Sequence, residues 1–458
     1  MALKKGGIIT LTIDKLVFGG MGLGTHEGIK IFVPDSVPGD TVEIRIRKKK
    51  NNYAEGVITQ IITSSPQRIT ARCRHFEQCG GCTWQFLSYP DQLAYKQGIV
   101  SESFEHIGAV TDIHSKPIIG SEQYWHYRNK MEFSFATDEA GTPMLGLHPK
   151  GYHYDVFDLE ECFLPHPAYA EIVKLTREWA KNNGVSVYTP RTNSGTLHTM
   201  VIRHNQAEQF LINIVTRETK LPAVAELKQA LAHLPIVSCL HTYLYSETGH
   251  ATTKTTKILW GTDHLSEELD LGATWGKLDF TIYPEAFFQP NPRQATILYS
   301  TALNQAQIQS TDTVLDLYCG TGTLGLFASR QAKQVIGIDN VADAIKSAND
   351  NARRNQCTNA TFHTGDTATV LQSLQITPTV AIVDPPRAGL LPDAVTEIIK
   401  LNLQRLVYIS CNPTTQARDI RLFIEAGYQI ISMQPVDMFP HTYHIENIVV
   451  IEKSQAKA

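Results

Sequence analysis

The run Thr313-Val314-Leu315-Asp316-Leu317-Tyr318-Cys319 passes directly into Gly320-Thr321-Gly322-Thr323-Leu324-Gly325 and then into Leu326-Phe327-Ala328-Ser329-Arg330. A mostly apolar run of strand length, a glycine-rich turn and a helical stretch in succession form the opening unit of a parallel α/β sheet. Strands of such sheets are covered on both faces and so lack polar alternation. Three more apolar runs follow: Gln334-Val335-Ile336-Gly337-Ile338, Thr379-Val380-Ala381-Ile382-Val383 and Leu406-Val407-Tyr408-Ile409. They stop on Asp339, on Asp384 and on Ser410-Cys411. Open sheets of this type bind ligands in the crevice outside the carboxyl ends of their strands. These strand-end residues are therefore the first candidates for a site, although a buried thiol such as Cys411 can equally be a small core hydrophobe.

The strand, G-x-G-x-x-G turn and helix together are the layout of dinucleotide and adenosyl-cofactor sites. Gly320 and Gly322 let the backbone approach the ligand, and Tyr318 precedes them. Asp339 is placed to accept hydrogen bonds from both hydroxyls of a ribose. Asp366, in Thr364-Gly365-Asp366, is a candidate contact on the adenine side. On these elements a nicotinamide dinucleotide stays open. The Asp384-Pro385-Pro386-Arg387 turn is not a dehydrogenase feature; it resembles nucleobase-modifying methyltransferases that use S-adenosylmethionine. Ahead of the sheet, Tyr283-Pro284-Glu285-Ala286-Phe287-Phe288-Gln289-Pro290-Asn291 joins amides and aromatics on one loop, which can contact a cofactor and a base together. A buried loop anchor is the competing reading.

At 458 residues the chain has room for roughly three domains. No apolar run reaches the roughly 18 residues of a membrane helix, and Met1-Ala2-Leu3-Lys4-Lys5-Gly6-Gly7 lacks the apolar core of a signal peptide. A cytoplasmic protein with no membrane and no obligate protein partner is expected. The net charge of −4 argues against bulk polyanion binding, but the first 72 residues carry eleven Lys and Arg against six acids. There, Ile8–Ile13, Ile29–Val33 and Thr41–Ile46 alternate apolar and polar residues between glycine-rich turns, the pattern of a small β-barrel. Arg45, Arg47, Lys48, Lys49 and Lys50 lead to Tyr53, as in a cationic groove with a stacking platform or a solvated charged hairpin. This region resembles a TRAM domain, the OB-like barrel appended to several RNA-modifying enzymes.

Eight cysteines in such a chain point to metal binding or catalysis rather than a disulfide scaffold. Five residues separate Cys73 from Cys79 and two separate Cys79 from Cys82, with Gly80-Gly81 allowing a tight fold. Tetrahedral sites and cubane clusters want four thiolates, and Cys162 is the best-placed fourth. Zinc and an iron–sulfur cluster both remain open on spacing alone.

In the middle of the chain, residues 91–108 and 167–183 read as helices, the second stopped by Asn183-Gly184. Tyr127–Phe135 alternates like a half-buried strand, while Thr199–Arg203 and Phe210–Val215 look like a strand pair. Arg128 and Lys130 share a strand face and could meet phosphate, with ordinary surface charge the more frequent explanation. His126, His148, His153, His198 and His204 show no metal-ligand spacing.

Taken together, Phe287-x-Gln289-x-Asn291, Asp316-Leu-Tyr318-Cys-Gly320-x-Gly322, Asp384-Pro-Pro-Arg-Ala-Gly389, Ser410-Cys-Asn-Pro413 with Ala417-Arg-Asp419, and His444-x-Glu446 resemble the TrmA/RlmD family of RNA uridine-5-methyltransferases. The resemblance implies an α/β plus β fold: an N-terminal OB-like TRAM β-barrel over 1–64, a central α+β domain with an iron–sulfur cluster over 65–90 and 121–270, and a Rossmann-like class I S-adenosylmethionine-dependent methyltransferase domain over 91–120 and 271–458. It implies Cys411 as nucleophile, Glu446 as proton-abstracting base and Asp384 as a contact to the uracil and the cofactor. It further implies a cofactor set of Gln289, Tyr318, Asp339 and Asp384, and Phe287 and Gln289 against the base. Cys73, Cys79, Cys82 and Cys162 correspond to the ligands of a [4Fe–4S] cluster, with zinc as the alternative. Chemistry gives the reason for the thiol: uracil C5 is a weak nucleophile until a thiolate adds to C6. The expected substrate is structured RNA, 23S ribosomal RNA ahead of a transfer RNA loop. RNA cytosine-5-methylation and a non-catalytic RNA-binding protein with a remnant cofactor fold are the further alternatives.

Overall fold

The computed structural model describes residues 3–108, 110, 115–152, 154–245 and 253–454, so His153 lies outside the described residues. The chain divides into two compact units: residues up to Phe76, Gly81–Tyr124 and from Asp384 onward, and Glu77–Gly80 with Trp125–Val383.

The first unit opens with β1 (Ile8–Thr12), β2 (Lys15–Leu16), β3 (Gly22–His26), β4 (Ile29–Val33), β5 (Thr41–Lys49) and β6 (Tyr53–Thr63), in the order β1-β5-β6-β4-β3-β2. Alternation along β5 buries Val42, Ile44 and Ile46 in the core with Leu11, Ile31 and Val33 and leaves Arg45 and Arg47 outside. Lys48 pairs with Glu55 at 2.6 Å and lies 5.7 Å from the Tyr53 ring, so the basic tip carries the aromatic expected of it. Helix α1 (Tyr89–His106) starts where Ser88 accepts from the amide of Asp91 and Pro90 occupies the first turn. It packs against the C-terminal part of the same unit, where the ammonium of Lys96 meets the Asp437 carboxylate at 2.6 Å with both side chains fully buried.

The second unit contains β7 (Lys130–Thr137), β8 (Pro143–Leu147), β9 (Phe157–Asp158), α2 (Ala168–Asn182), β10 (Leu197–His204), β11 (Phe210–Thr216), α3 (Val224–Ala230), β12 (Ile236–Tyr245) and β13 (Thr253–Gly261). Its strands run β13-β12-β11-β10-β7-β8-β9. One sheet face supplies Phe133, Met200, Ile202, Ile212 and Ile214 to a core closed by Tyr169, Ile172 and Trp179 of α2. Arg128 falls just before β7, on an isolated bridge to Pro165, rather than inside the expected strand.

After the hairpin β14 (Leu265–Asp270) and β15 (Lys277–Ile282) come α4 (Pro292–Ala306), β16 (Thr313–Leu317), α5 (Thr323–Ala328), β17 (Gln334–Asp339), α6 (Ala342–Arg354), β18 (Ala360–Thr364), α7 (Thr367–Ser373) and β19 (Val380–Val383). β18, β17, β16 and β19 are neighbours in that order; the β18–β17, β17–β16 and β16–β19 pairs are parallel. In the first unit α8 (Pro392–Lys400), β20 (Arg405–Ser410), α9 (Pro413–Glu425), β21 (Tyr428–Val436) and β22 (Glu446–Lys453) follow, with β22 antiparallel to both β20 and β21. No helix among the described residues is long and apolar enough to cross a membrane.

Candidate active site

β20 is buried from Leu406 to Ser410, as its unbroken apolar run requires. Its antiparallel pairing with β22 ends at Ser410 opposite Asn447. The next residue on one strand is Cys411 and the preceding residue on the other is Glu446, so the ladder delivers a thiol and a carboxyl to the same sheet end. Asn412 then caps α9, its side-chain oxygen accepting from the amides of Thr414 at 3.0 Å and Thr415 at 3.4 Å. Cys411 thus sits just before a helix N-terminus, whose dipole favours an anion. Gln416 donates from α9 to the carbonyls of Tyr408 and Asn447 at 2.8 and 3.0 Å, clamping the two strands together.

The Asp384–Gly389 turn is tied to this strand end. The carbonyl of Arg387 accepts from the side-chain NH2 of Asn412 at 3.0 Å and from the Thr415 hydroxyl at 3.2 Å. Asp419, 1% exposed, accepts from the amide of Leu390 at 2.8 Å and the hydroxyl of Tyr408 at 2.7 Å. Gly389 has φ +78°, and a Cβ there would stand 2.5 Å from the Asp419 carboxylate. Only glycine fits both the conformation and the space.

Three titratable groups therefore share one environment. Burial raises the Asp384 carboxyl to about 7, even though the residue keeps some solvent contact. Glu446, 5% exposed, is raised well above the carboxylate range by burial and by the charge of Asp384; Arg387 opposes the shift. The half-buried Cys411 thiol is pushed up to about 12 by burial and by both carboxyls, and again Arg387 is the group pulling it down. Neither carboxyl makes a side-chain hydrogen bond among the described residues. A thiol and two proton acceptors of unequal strength under one guanidinium are suited to covalent addition and proton abstraction.

The other unit carries the glycine turn. Tyr318 leaves β16 at φ +62°, followed by Gly320 at +54° and Gly322 at +80°. Space over Gly320 is open, whereas a Cβ on Gly322 would meet the Phe362 ring at 2.8 Å. The first glycine keeps a cradle clear and the second allows close packing. Asp339 braces this loop, accepting from the amides of Gly320 and Val341 at 2.9 Å each, and two carboxylate lone-pair sites remain for a ligand. Gln289 is 7% exposed and forms no side-chain hydrogen bond among the described residues. The open cradle, the braced carboxylate and this amide fit an adenosyl cofactor.

Phe287 is 68% exposed on the preceding loop, while its neighbour Phe288 packs on Phe280. Asp366 is exposed and caps α7 through the amide of Thr369 at 3.1 Å, which gives it a structural task besides any contact with adenine. Among the described residues no group of three or more His, Cys, Asp or Glu side chains is arranged to hold a metal ion. Cys82 is buried, and Cys79 and Cys162 pack against the apolar core of the central sheet. Sequence reasoning assigned no role to Arg387, Asn412 or Asp419. Their presence inside the quoted motifs was the available signal.

The profile of the tRNA (uracil-5-)-methyltransferase family matches residues 247–454, and that of the TRAM domain matches residues 2–59. An uncharacterized RNA methyltransferase of Caldanaerobacter subterraneus subsp. tengcongensis is 38% identical over 99% of this chain and 100% of its own length. Another, from Halalkalibacterium halodurans, is 34% identical over 98% of each. Among solved structures, the tRNA (uracil-54, C5)-methyltransferase of Pyrococcus abyssi, in complex with S-adenosyl-L-homocysteine, superposes with a TM-score of 0.76 at 26% identity. It covers 97% of this chain and 100% of that one.

Proposed function

This chain belongs to the uracil-5-methyltransferase family of S-adenosylmethionine-dependent RNA methyltransferases, and from that premise we propose that it forms 5-methyluridine in 23S ribosomal RNA, in the cytoplasm. The observation that carries the chemistry is the Cys411–Glu446 pair at the end of the β20–β22 ladder, with Asp384 and Arg387 facing it. A barrel with an exposed basic tip supports an RNA substrate.

In this reading the target uridine leaves its stack and its ring meets Cys411, with Phe287 as an aromatic partner. Asp384 takes the thiol proton as the sulfur adds to C6, because its value of about 7 leaves a carboxylate available at neutral pH. Gln289, Tyr318, Asp339 and the Gly320–Gly322 turn would hold S-adenosylmethionine, which would supply the methyl group for C5 and leave as S-adenosylhomocysteine. Protonation of Asp384 removes the smaller of the two causes that raise Glu446, burial being the larger, and Arg387 favours the carboxylate form in which Glu446 acts. Glu446 then removes the C5 proton, and the Cys411 thiolate leaves as the ring double bond returns.

A transfer RNA loop uridine is the second reading, favoured by the likeness to the Pyrococcus abyssi tRNA enzyme. Methyl transfer by the purified chain to 23S ribosomal RNA and to transfer RNA transcripts tests the two. Incorporation confined to transfer RNA would overturn the ribosomal assignment and keep the chemistry. We also read the chain as a barrel over 1–64, a central domain over 65–90 and 121–270 and a catalytic domain over 91–120 and 271–458, which limited proteolysis tests. Separately, the spacing of Cys73, Cys79, Cys82 and Cys162 supports a [4Fe–4S] cluster. Visible absorbance in anaerobically purified protein, lost in Cys73→Ala, is the expected sign; a colourless protein containing zinc would overturn it.

A further inference from the structure

Lys130 and Arg203 are register partners on the antiparallel strands β7 and β10. Met131, Phe133, Met200 and Ile202 occupy the core face of these strands, so alternation sends Lys130 and Arg203 to the opposite face. Arg203 is 2% exposed, and its one side-chain bond is donated to the carbonyl of Ala286. Its Nε is buried without an acceptor, and so is the Nε of the nearby Arg128. None of the three cations forms an ion pair among the described residues. The acids in range are exposed: Glu132 makes no ion pair among the described residues, and Glu285 is taken by Lys254 at 2.6 Å. Burial and the charges of Arg203 and Arg128 hold Lys130 below its ordinary value, and burial brings Arg203 down to about 10.

Like charges opposite each other across a strand pair repel, and a buried cation with unmatched N–H groups is costly unless an anion joins it. Two guanidinium forks and an ammonium match a phosphodiester, which accepts on two oxygens and carries one negative charge. The Ala286 carbonyl anchors this cluster one residue before the exposed Phe287. We propose that Arg128, Lys130 and Arg203 form a phosphate clamp that grips the RNA backbone beside the nucleotide presented to Phe287. The clamp rests on the RNA reading above and positions the strand without reading its sequence.

The test uses the full chain and measures RNA affinity without cofactor across a salt series, with cofactor affinity measured separately without RNA. Lys130→Ala is expected to weaken RNA binding severalfold and to reduce the slope of log Kd against log salt by about 0.7–0.9, one phosphate contact. Lys130→Arg restores both. A second arm needs no variant: methylphosphonates flanking the target uridine weaken binding to the unaltered chain and cost Lys130→Ala less. Unchanged RNA affinity and slope in Lys130→Ala, or no effect of the methylphosphonates, would overturn the clamp. So would a loss of S-adenosylmethionine affinity in place of RNA affinity, which would assign the cluster to the cofactor carboxylate. Failure of the unaltered chain to methylate any RNA would instead count against the functional reading, and the binding measurements report on the clamp even then.

Discussion

Ser410 and Asn447 are the last register partners between β20 and β22. Because the strands are antiparallel, Cys411 and Glu446 emerge together from that pair although 35 positions separate them in the chain. The ladder acts as a ruler for the two groups.

If Cys411 supplies the nucleophile, Cys411→Ala lowers methyl transfer by about 10³-fold or more while leaving S-adenosylmethionine binding intact. Tritium incorporation into RNA and calorimetric cofactor binding measure the two effects. Near-normal incorporation in the variant would falsify the mechanism.

With Glu446 as the base, Glu446→Gln is expected to block the last step, not the first. Turnover falls by about 10²–10⁴-fold, and a covalent protein–RNA adduct builds up. Denaturing electrophoresis separates the adduct from free protein. Slow turnover without any adduct would remove Glu446 as the base.

Asp384 sets a pH dependence. Its carboxyl is raised from 3.8 to about 7, so between these values the native protein keeps a proton that the unfolded chain has lost. The site therefore favours the fold at low pH, and that contribution is lost as pH rises through about 7. Asp384→Asn is expected to melt a few degrees above the parent at pH 8 and level with it at pH 3, both relative to a common reference buffer series. In the parent, the rate of adduct formation climbs with pH through about 7; in the variant it is low and flat. A parent profile without that rise would remove Asp384 as acceptor of the thiol proton.

Lys96 and Asp437 are both fully buried, and Asp437 also accepts from the Tyr89 hydroxyl at 3.0 Å. Lys96→Met strands the Asp437 charge and costs about 3–5 kcal/mol. The urea midpoint of the variant falls, and adding Asp437→Asn recovers part of the loss. An unchanged midpoint in Lys96→Met would show that the pair contributes little to the fold.

Local pattern made much of this molecule readable. The apolar runs ending at Leu317, Val383 and Ile409 became β16, β19 and β20 within a residue or two. Their ends carry Tyr318, Asp384 and Cys411 because a strand and the residue that stops it are written consecutively. The barrel strands were legible for the same reason, since period-two alternation is a property of neighbours. Asp366 shows the limit of a motif: its position suggested a cofactor contact, and the structure also makes it a helix cap.

Consecutive residues thus specify the elements, the groups at their ends and, through motif order, the family. The charge states of those groups and the company they keep emerge from the folded chain alone. Arg387 faces Cys411 and Glu446 because Asn412 and Thr415 hold its carbonyl. Lys130, for which the sequence left a phosphate contact and ordinary surface charge both open, is half-buried opposite Arg203 because of strand register. Electrostatic energy depends on separation and on how much water is excluded, and both are set by residues far apart in the chain.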